Sequence, residues 1–293
     1  MKELVFIHGR SQQGYDSIKL KKKWIDSLKA GMEKNGDTLP IPEDKIHFPY
    51  YGDTLAGLLN NVPEDEVAEI IVRGDDASEA ESEFIRSTIM DILKKHGITD
   101  EQIQGEANEH IAERGILNWK WVQTGLKALD RYVPGASGAS VAIATRDVYL
   151  YLKNPAVRAH IDSGVMKAVN KDVETVVVGH SLGSVVSYCV LHEYGVSEGW
   201  KVPLYITVGA PLGVKVIKKT LSPIGHPRCA EKWFNAMDDR DVVALYPLDS
   251  ENFDVNPPIE NKTDVDNFTE NRHSIDGYLS DPVVAKRIYE ALR

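Results

Sequence analysis

Long apolar runs are what this 293-residue chain most plainly lacks. Nothing in it approaches the roughly 20 residues that cross a bilayer as a helix. The apolar segment Leu4–Ile7 is followed at once by His8-Gly9 and is too short for the core of a secretory signal. A buried strand of a cytoplasmic protein is therefore expected there. Cysteine is scarce as well. Two cysteines, Cys189 and Cys229, fit a cytoplasmic compartment; neither belongs to a C-x-x-C pair, which argues against a zinc site, and no metal or cofactor is expected. Cys189 lies in an apolar stretch and reads as a small core residue. Positive charge is in deficit: 34 Lys and Arg face 44 Asp and Glu, a net −10 that argues against nucleic acid as a partner. The cluster Lys19-Leu20-Lys21-Lys22-Lys23 runs against that trend. Its plain reading is the solvated face of a first helix, and contact with an anionic surface or substrate is the lesser alternative.

What is present alternates. Strand-like runs occur at Leu4–Ile7, Lys45–Tyr51, Thr175–Gly179, Leu204–Val208 and Lys232–Met237. Helical patterns lie at about Asp16–Lys34, Ser184–Glu193 and Pro282–Leu292, the last with Asp281-Pro282 as N-cap and first-turn proline. Strands alternating with helices predict one α/β domain, a mostly parallel sheet with helices on both faces. Residues 53–172 are the exception. Helical patterns succeed one another there (Pro63–Arg73, Glu79–Lys95, Ile116–Leu129, Ser140–Leu152 and Val157–Val169) without a convincing strand. This reads as a helical insertion whose last helix crosses over the sheet and whose remainder forms a cap. Trp119 and Trp121 are candidates to line a pocket beneath it, though aromatics at helical spacing more often belong to the core.

The most informative residues are Gly179-His180-Ser181-Leu182-Gly183. They stand between the β-branched run Thr175–Val178 and the apolar helix beginning near Ser184. A strand, a sharp turn and a helix with serine at the apex is the arrangement that exposes a nucleophilic hydroxyl above a sheet edge. Glycines two residues to either side relieve the crowding such a turn creates. The N–H of Leu182 then faces the oxygen of an attacked carbonyl. Gly135-Ala136-Ser137-Gly138-Ala139 has similar spacing but follows Arg131-Tyr132-Val133-Pro134, which is no strand. It reads as a small-residue loop.

A serine hydroxyl needs a base, and the base needs an orienting acid. In a sheet of this type the partners follow the serine at carboxyl ends of strands, acid before histidine. Of the nine histidines, only His192, His226 and His273 come later. His192 lies inside the helix after Ser181. His226 precedes the last clear strand. His273, in a polar stretch before the final helix, remains. Strand Lys232–Met237 ends in Asp238-Asp239-Arg240-Asp241-Val242-Val243. Asp241 heads a small apolar segment that would anchor its loop and is preferred, with Asp238 as runner-up. A second oxyanion donor is expected from the loop after the first strand, at the N–H of Arg10 or Ser11, with His8 bracing that loop. His180 is expected to point elsewhere and at most to tune the turn.

Three pieces resemble the lipase and esterase branch of the α/β-hydrolase superfamily: Phe6-Ile7-His8-Gly9-Arg10, Val176–Ser184, and Met237-Asp238-Asp239-Arg240-Asp241-Val242-Val243 followed by one late histidine. Gly209-Ala210-Pro211-Leu212 after the next strand is also similar to that family. The resemblance implies Asp241 as acid, His273 as base and Arg10 as second oxyanion donor. The chain departs from the family pattern in having no leading antiparallel strands before Leu4 and an unassigned helical insertion. The expected function is a serine hydrolase acting on a carboxylic ester or related acyl substrate, lipids included, without cofactor. Thioester or amide cleavage and acyl transfer would use the same parts. A catalytically inert, ligand-sensing protein on the same scaffold is the alternative from another class.

Overall fold

The computed structural model describes residues 1–9, 16–52, 78–106, 119–270 and 272–293. Six strands form one sheet: β1 (Glu3–Ile7), β2 (Ile46–His47), β3 (Thr175–His180), β4 (Tyr205–Val208), β5 (Trp233–Ala236) and β6 (Glu260–Lys262). Their order is β2-β1-β3-β4-β5-β6, and every pairing is parallel. The fold is α/β, as the alternating pattern predicts.

Strand side chains alternate between two cores because successive residues of a strand point to opposite faces. Leu4 and Phe6 of β1, Val176 and Val178 of β3 and Ile206 and Val208 of β4 join one core. Val5, Ile7, Val177 and Tyr205 join the other. Both faces are therefore covered, the condition under which an all-parallel sheet is stable. On the first face lie α1 (Ser17–Glu33), α9 (Ile275–Leu279) and α10 (Pro282–Leu292), through Trp24, Leu28, Leu279 and Ile288 among others. On the second lie the helices of the long insertion together with α7 (Leu182–Tyr194) and α8 (Lys215–Leu221).

From β1 the chain crosses by α1 to β2, and from β3 it crosses by α7 to β4, in the opposite direction along the sheet. Right-handed crossovers running in opposite directions put their helices on opposite faces. The carboxyl ends of β1 and β3 thereby form a topological switch point, where a crevice opens in sheets of this kind.

Within 78–172 the described residues form α2 (Glu79–Lys95), α3 (Asp100–Gly105), α4 (Trp119–Tyr132), α5 (Gly138–Lys153) and α6 (Pro155–Ala168), and no strand. The pattern at Pro63–Arg73 lies outside the described residues. Buried Asp91 of α2 ties this segment to the sheet side. It accepts from the Lys215 amide (3.1 Å), the Lys215 ammonium (2.8 Å) and the Tyr246 hydroxyl (3.0 Å). The run Lys45–Tyr51 is strand only at Ile46–His47. Pro49 cannot donate to a ladder, and Phe48, Tyr50 and Tyr51 instead gather around the His8 ring. On α1, Lys22 pairs with Asp26 and Lys23 with Asp276. Among the described residues no helix is long and apolar enough to cross a membrane.

Candidate functional site

β3 delivers Ser181 at φ 55°, ψ −127°, and α7 begins at the next residue. Positive φ is rare for a residue with a side chain, and its cost is borne where the surroundings over-determine the turn. Three glycines provide the room. A Cβ at Gly9 would stand 2.8 Å from Ser181 Cβ, one at Gly179 2.9 Å from Ser184 Cα, and one at Gly183 2.6 Å from the His8 carbonyl oxygen. The Ser184 hydroxyl closes the turn by donating to the Gly179 carbonyl (3.0 Å). Leu182 is the first residue of α7, where N–H groups have no intrahelical partner and the helix dipole favours negative charge.

His8, the residue that follows β1, is held by a ring stack. His8 is fully buried and its ring lies 4.0 Å from that of Tyr51. A carbonyl only accepts and an amide only donates. The His8 Nδ1–H therefore donates to the Gly9 carbonyl (2.6 Å), and its Nε2 accepts from the Tyr51 amide (3.2 Å). The Tyr51 hydroxyl donates to the His8 carbonyl. Burial pushes the His8 imidazole down to about 4, so it is neutral at pH 7. Through these hydrogen bonds His8 fixes Gly9 against Tyr51. Arg10 and Ser11 lie outside the described residues.

The chain after β5 carries both candidate acids, and they have different partners. Asp238 accepts from the Arg240 guanidinium (3.0 and 3.1 Å) and from the amides of Arg240 (2.9 Å) and Asn267 (2.9 Å). Burial alone would raise its carboxyl, but these donors outweigh that and hold it below the usual carboxylate range. Asn267 in turn donates to the Ser274 carbonyl (2.9 Å), so Asp238 shapes the loop on which His273 sits. Asp241 touches the histidine itself: its Oδ2 accepts from His273 Nδ1 at 2.7 Å. His273 Nε2 lies 2.9 Å from Ser181 Oγ. A carboxylate can only accept, so Nδ1 carries the ring proton and Nε2 is left to accept from the serine hydroxyl. Residues 181, 241 and 273, from three separate loops, thus form one continuous hydrogen-bonded chain.

Two further side chains hold this arrangement. The Tyr278 hydroxyl donates to Asp241 Oδ2 (2.6 Å). His180 is directed at the site rather than away from it, with Nε2 2.8 Å from the His273 carbonyl oxygen. Burial, and next the neighbouring His273, push His180 down to about 3, so Nε2 is an N–H donor at neutral pH. Neither contact has a signal in the primary structure, because each joins residues about 40 to 90 positions apart through the fold.

Ser181 opens on a narrow apolar cleft. Ile92 of α2, Val141 and Val148 of α5, Val214 and Ile217 near β4, and Val242 line it. The wall does come from the helical insertion, but from α2 and α5; Trp119 and Trp121 pack against the second core instead. Chemically, such a site can remove a proton from a serine hydroxyl, stabilise the resulting imidazolium with a buried carboxylate, and hold an apolar group beside the serine. No family model matches this chain, and no match was found among curated proteins or solved structures.

Proposed function

We propose that this protein is a serine hydrolase that cleaves a carboxylic ester or related acyl substrate, of the lipase and esterase type its motifs resemble. The carrying observation is the hydrogen-bonded chain through His273, with Nε2 on Ser181 Oγ and Nδ1 on Asp241. Ser181 Oγ attacks the acyl carbon and its proton passes to His273 Nε2. The imidazolium, stabilised by Asp241, then protonates the leaving oxygen, and an alcohol departs from the acyl-enzyme. Water attacks the acyl-enzyme, gives its proton to His273, and the carboxylic acid leaves as the proton returns to Ser181. The Leu182 N–H serves the oxyanion in both steps, with the N–H of Arg10 as its proposed partner. The apolar cleft beside Ser181 favours an uncharged, aliphatic acyl group over a polar one.

Covalent labelling with a fluorophosphonate, followed by peptide mass mapping, tests this reading. Wild type should be labelled at Ser181, and Ser181→Ala and His273→Ala should not be. A folded wild-type protein that resists the probe would sink the proposal.

A further inference from the structure

We propose that Tyr278 is a positioning residue for this chemistry: its phenol is a fixed donor beside His273 on Asp241 Oδ2, holding the carboxylate that orients His273 in one rotamer. The inference rests on the hydrolase reading.

The direction of the hydrogen bond is determined by its neighbours. The Asp238 amide, which can only donate, points at the Tyr278 oxygen from 3.3 Å. The phenolic proton is therefore free to go to Asp241 Oδ2, 2.6 Å away. Asp241 is then saturated. Its Oδ2 accepts from Tyr278 and from His273 Nδ1, and its Oδ1 accepts from the amides of Val243 (2.9 Å) and Ala244 (3.3 Å). A carboxylate has about four lone-pair sites, so this set leaves none over and holds the group against rotation. The ring is held in turn. Tyr278 is fully buried, and a Cβ at Gly209 would stand 3.0 Å from its Cε2. Burial, and next the adjacent Asp241 charge, keep the phenol protonated far above neutral pH.

The electrostatic consequence has a definite sign. A donor on Oδ2 spreads the carboxylate's charge away from His273. Without it Asp241 attracts the imidazolium more strongly and is free to rotate away from the Nδ1 proton. The other titratable and charged groups facing the pair are Asp238 beyond β5, neutralised by Arg240, His180 at the end of β3, and Asp276 on α9. None of them donates to Asp241 in the place of Tyr278.

Tyr278→Phe, assayed with p-nitrophenyl butyrate, should lower the plateau kcat about tenfold and leave KM within about twofold. A variant that only melts earlier, with wild-type kcat and KM, would show that Tyr278 is packing alone. In case the variant does not fold, proton NMR of the wild type supplies a reading that needs neither variant nor turnover. A slowly exchanging phenolic proton with a cross-peak to the His273 Nδ1 proton is expected, and its absence overturns the proposal. That cross-peak in a protein that resists fluorophosphonate would support the hold of Tyr278 on Asp241 and remove the hydrolase reading separately.

Discussion

Asp238 and Asp241 are three residues apart, both buried, and both at the end of β5, yet their surroundings divide the work between them. Asp238 faces a guanidinium and two amides, and its carboxylate organises the loop from Asp266 to Ser274. Asp241 faces an imidazole. Replacing each by Asn should therefore give opposite outcomes. Asp241→Asn keeps the shape but offers an amide where Nδ1–H and the phenol both donate, so the wrong tautomer of His273 is favoured. We expect kcat to fall about 10³–10⁴-fold with the melting temperature little changed. Asp238→Asn weakens charge-assisted bonds and should cost about 1–3 kcal/mol of stability, with kcat within about tenfold of wild type. Urea unfolding and ester turnover on the two variants check this. The reverse pattern would exchange the roles.

At the scale of elements, what was readable in the primary structure is what the core dictates. β1 and β3 are built around apolar runs, Leu4–Ile7 and Val176–Val178, buried on both faces, and such runs have few alternatives. The turn at Ser181 was legible because glycine spacing reports backbone crowding directly. His273 emerged by elimination along the chain. β6 was not legible: Glu260-Asn261-Lys262 is a polar, half-exposed edge, recruited by pairing with β5 and by the Asn235–Asn261 side-chain hydrogen bond (3.0 Å). The lining of the cleft was equally hidden, since it is assembled from α2, α5 and the segments after β4 and β5. This assembly makes a further prediction. Ala144 of α5 faces the cleft, and Ala144→Phe would fill part of its volume. With a p-nitrophenyl ester series, octanoate turnover (kcat/KM) should fall about tenfold or more while acetate stays within about threefold. A uniform loss for all chain lengths would mean that the acyl group does not enter between α2 and α5.

Among the described residues of the molecule three histidines are buried, His8, His180 and His226, and burial lowers the pKa of all three; the first two, one on either side of Ser181 at the ends of β1 and β3, are lowered furthest. His8 is pushed down to about 4 by burial, and His180 to about 3 by burial and then His273. In the unfolded chain both return to the ordinary value near 6.5. Between pH 6.5 and about 4 the unfolded state therefore binds protons that the native state refuses. Stability must fall as pH falls through this window, by about 1.4 kcal/mol per pH unit for each histidine. Asp238 and Asp276, held below the usual carboxylate range, lose their contribution only at lower pH, through the range of their depressed values. At pH 4.5 the two imidazoles together account for roughly 5 kcal/mol, comparable to the whole stability of many domains of this kind. Urea melts at pH 7, 6, 5 and 4.5 should thus show a steep, continuous decline in unfolding free energy that begins near 6.5. His8→Asn, which retains a donor near the Gly9 carbonyl but cannot take up a proton, should make the decline clearly shallower. A stability that stays flat from pH 6.5 to 4.5 would mean that water reaches these rings in the native state, and that the ends of β1 and β3 are held by something other than a pair of buried neutral imidazoles.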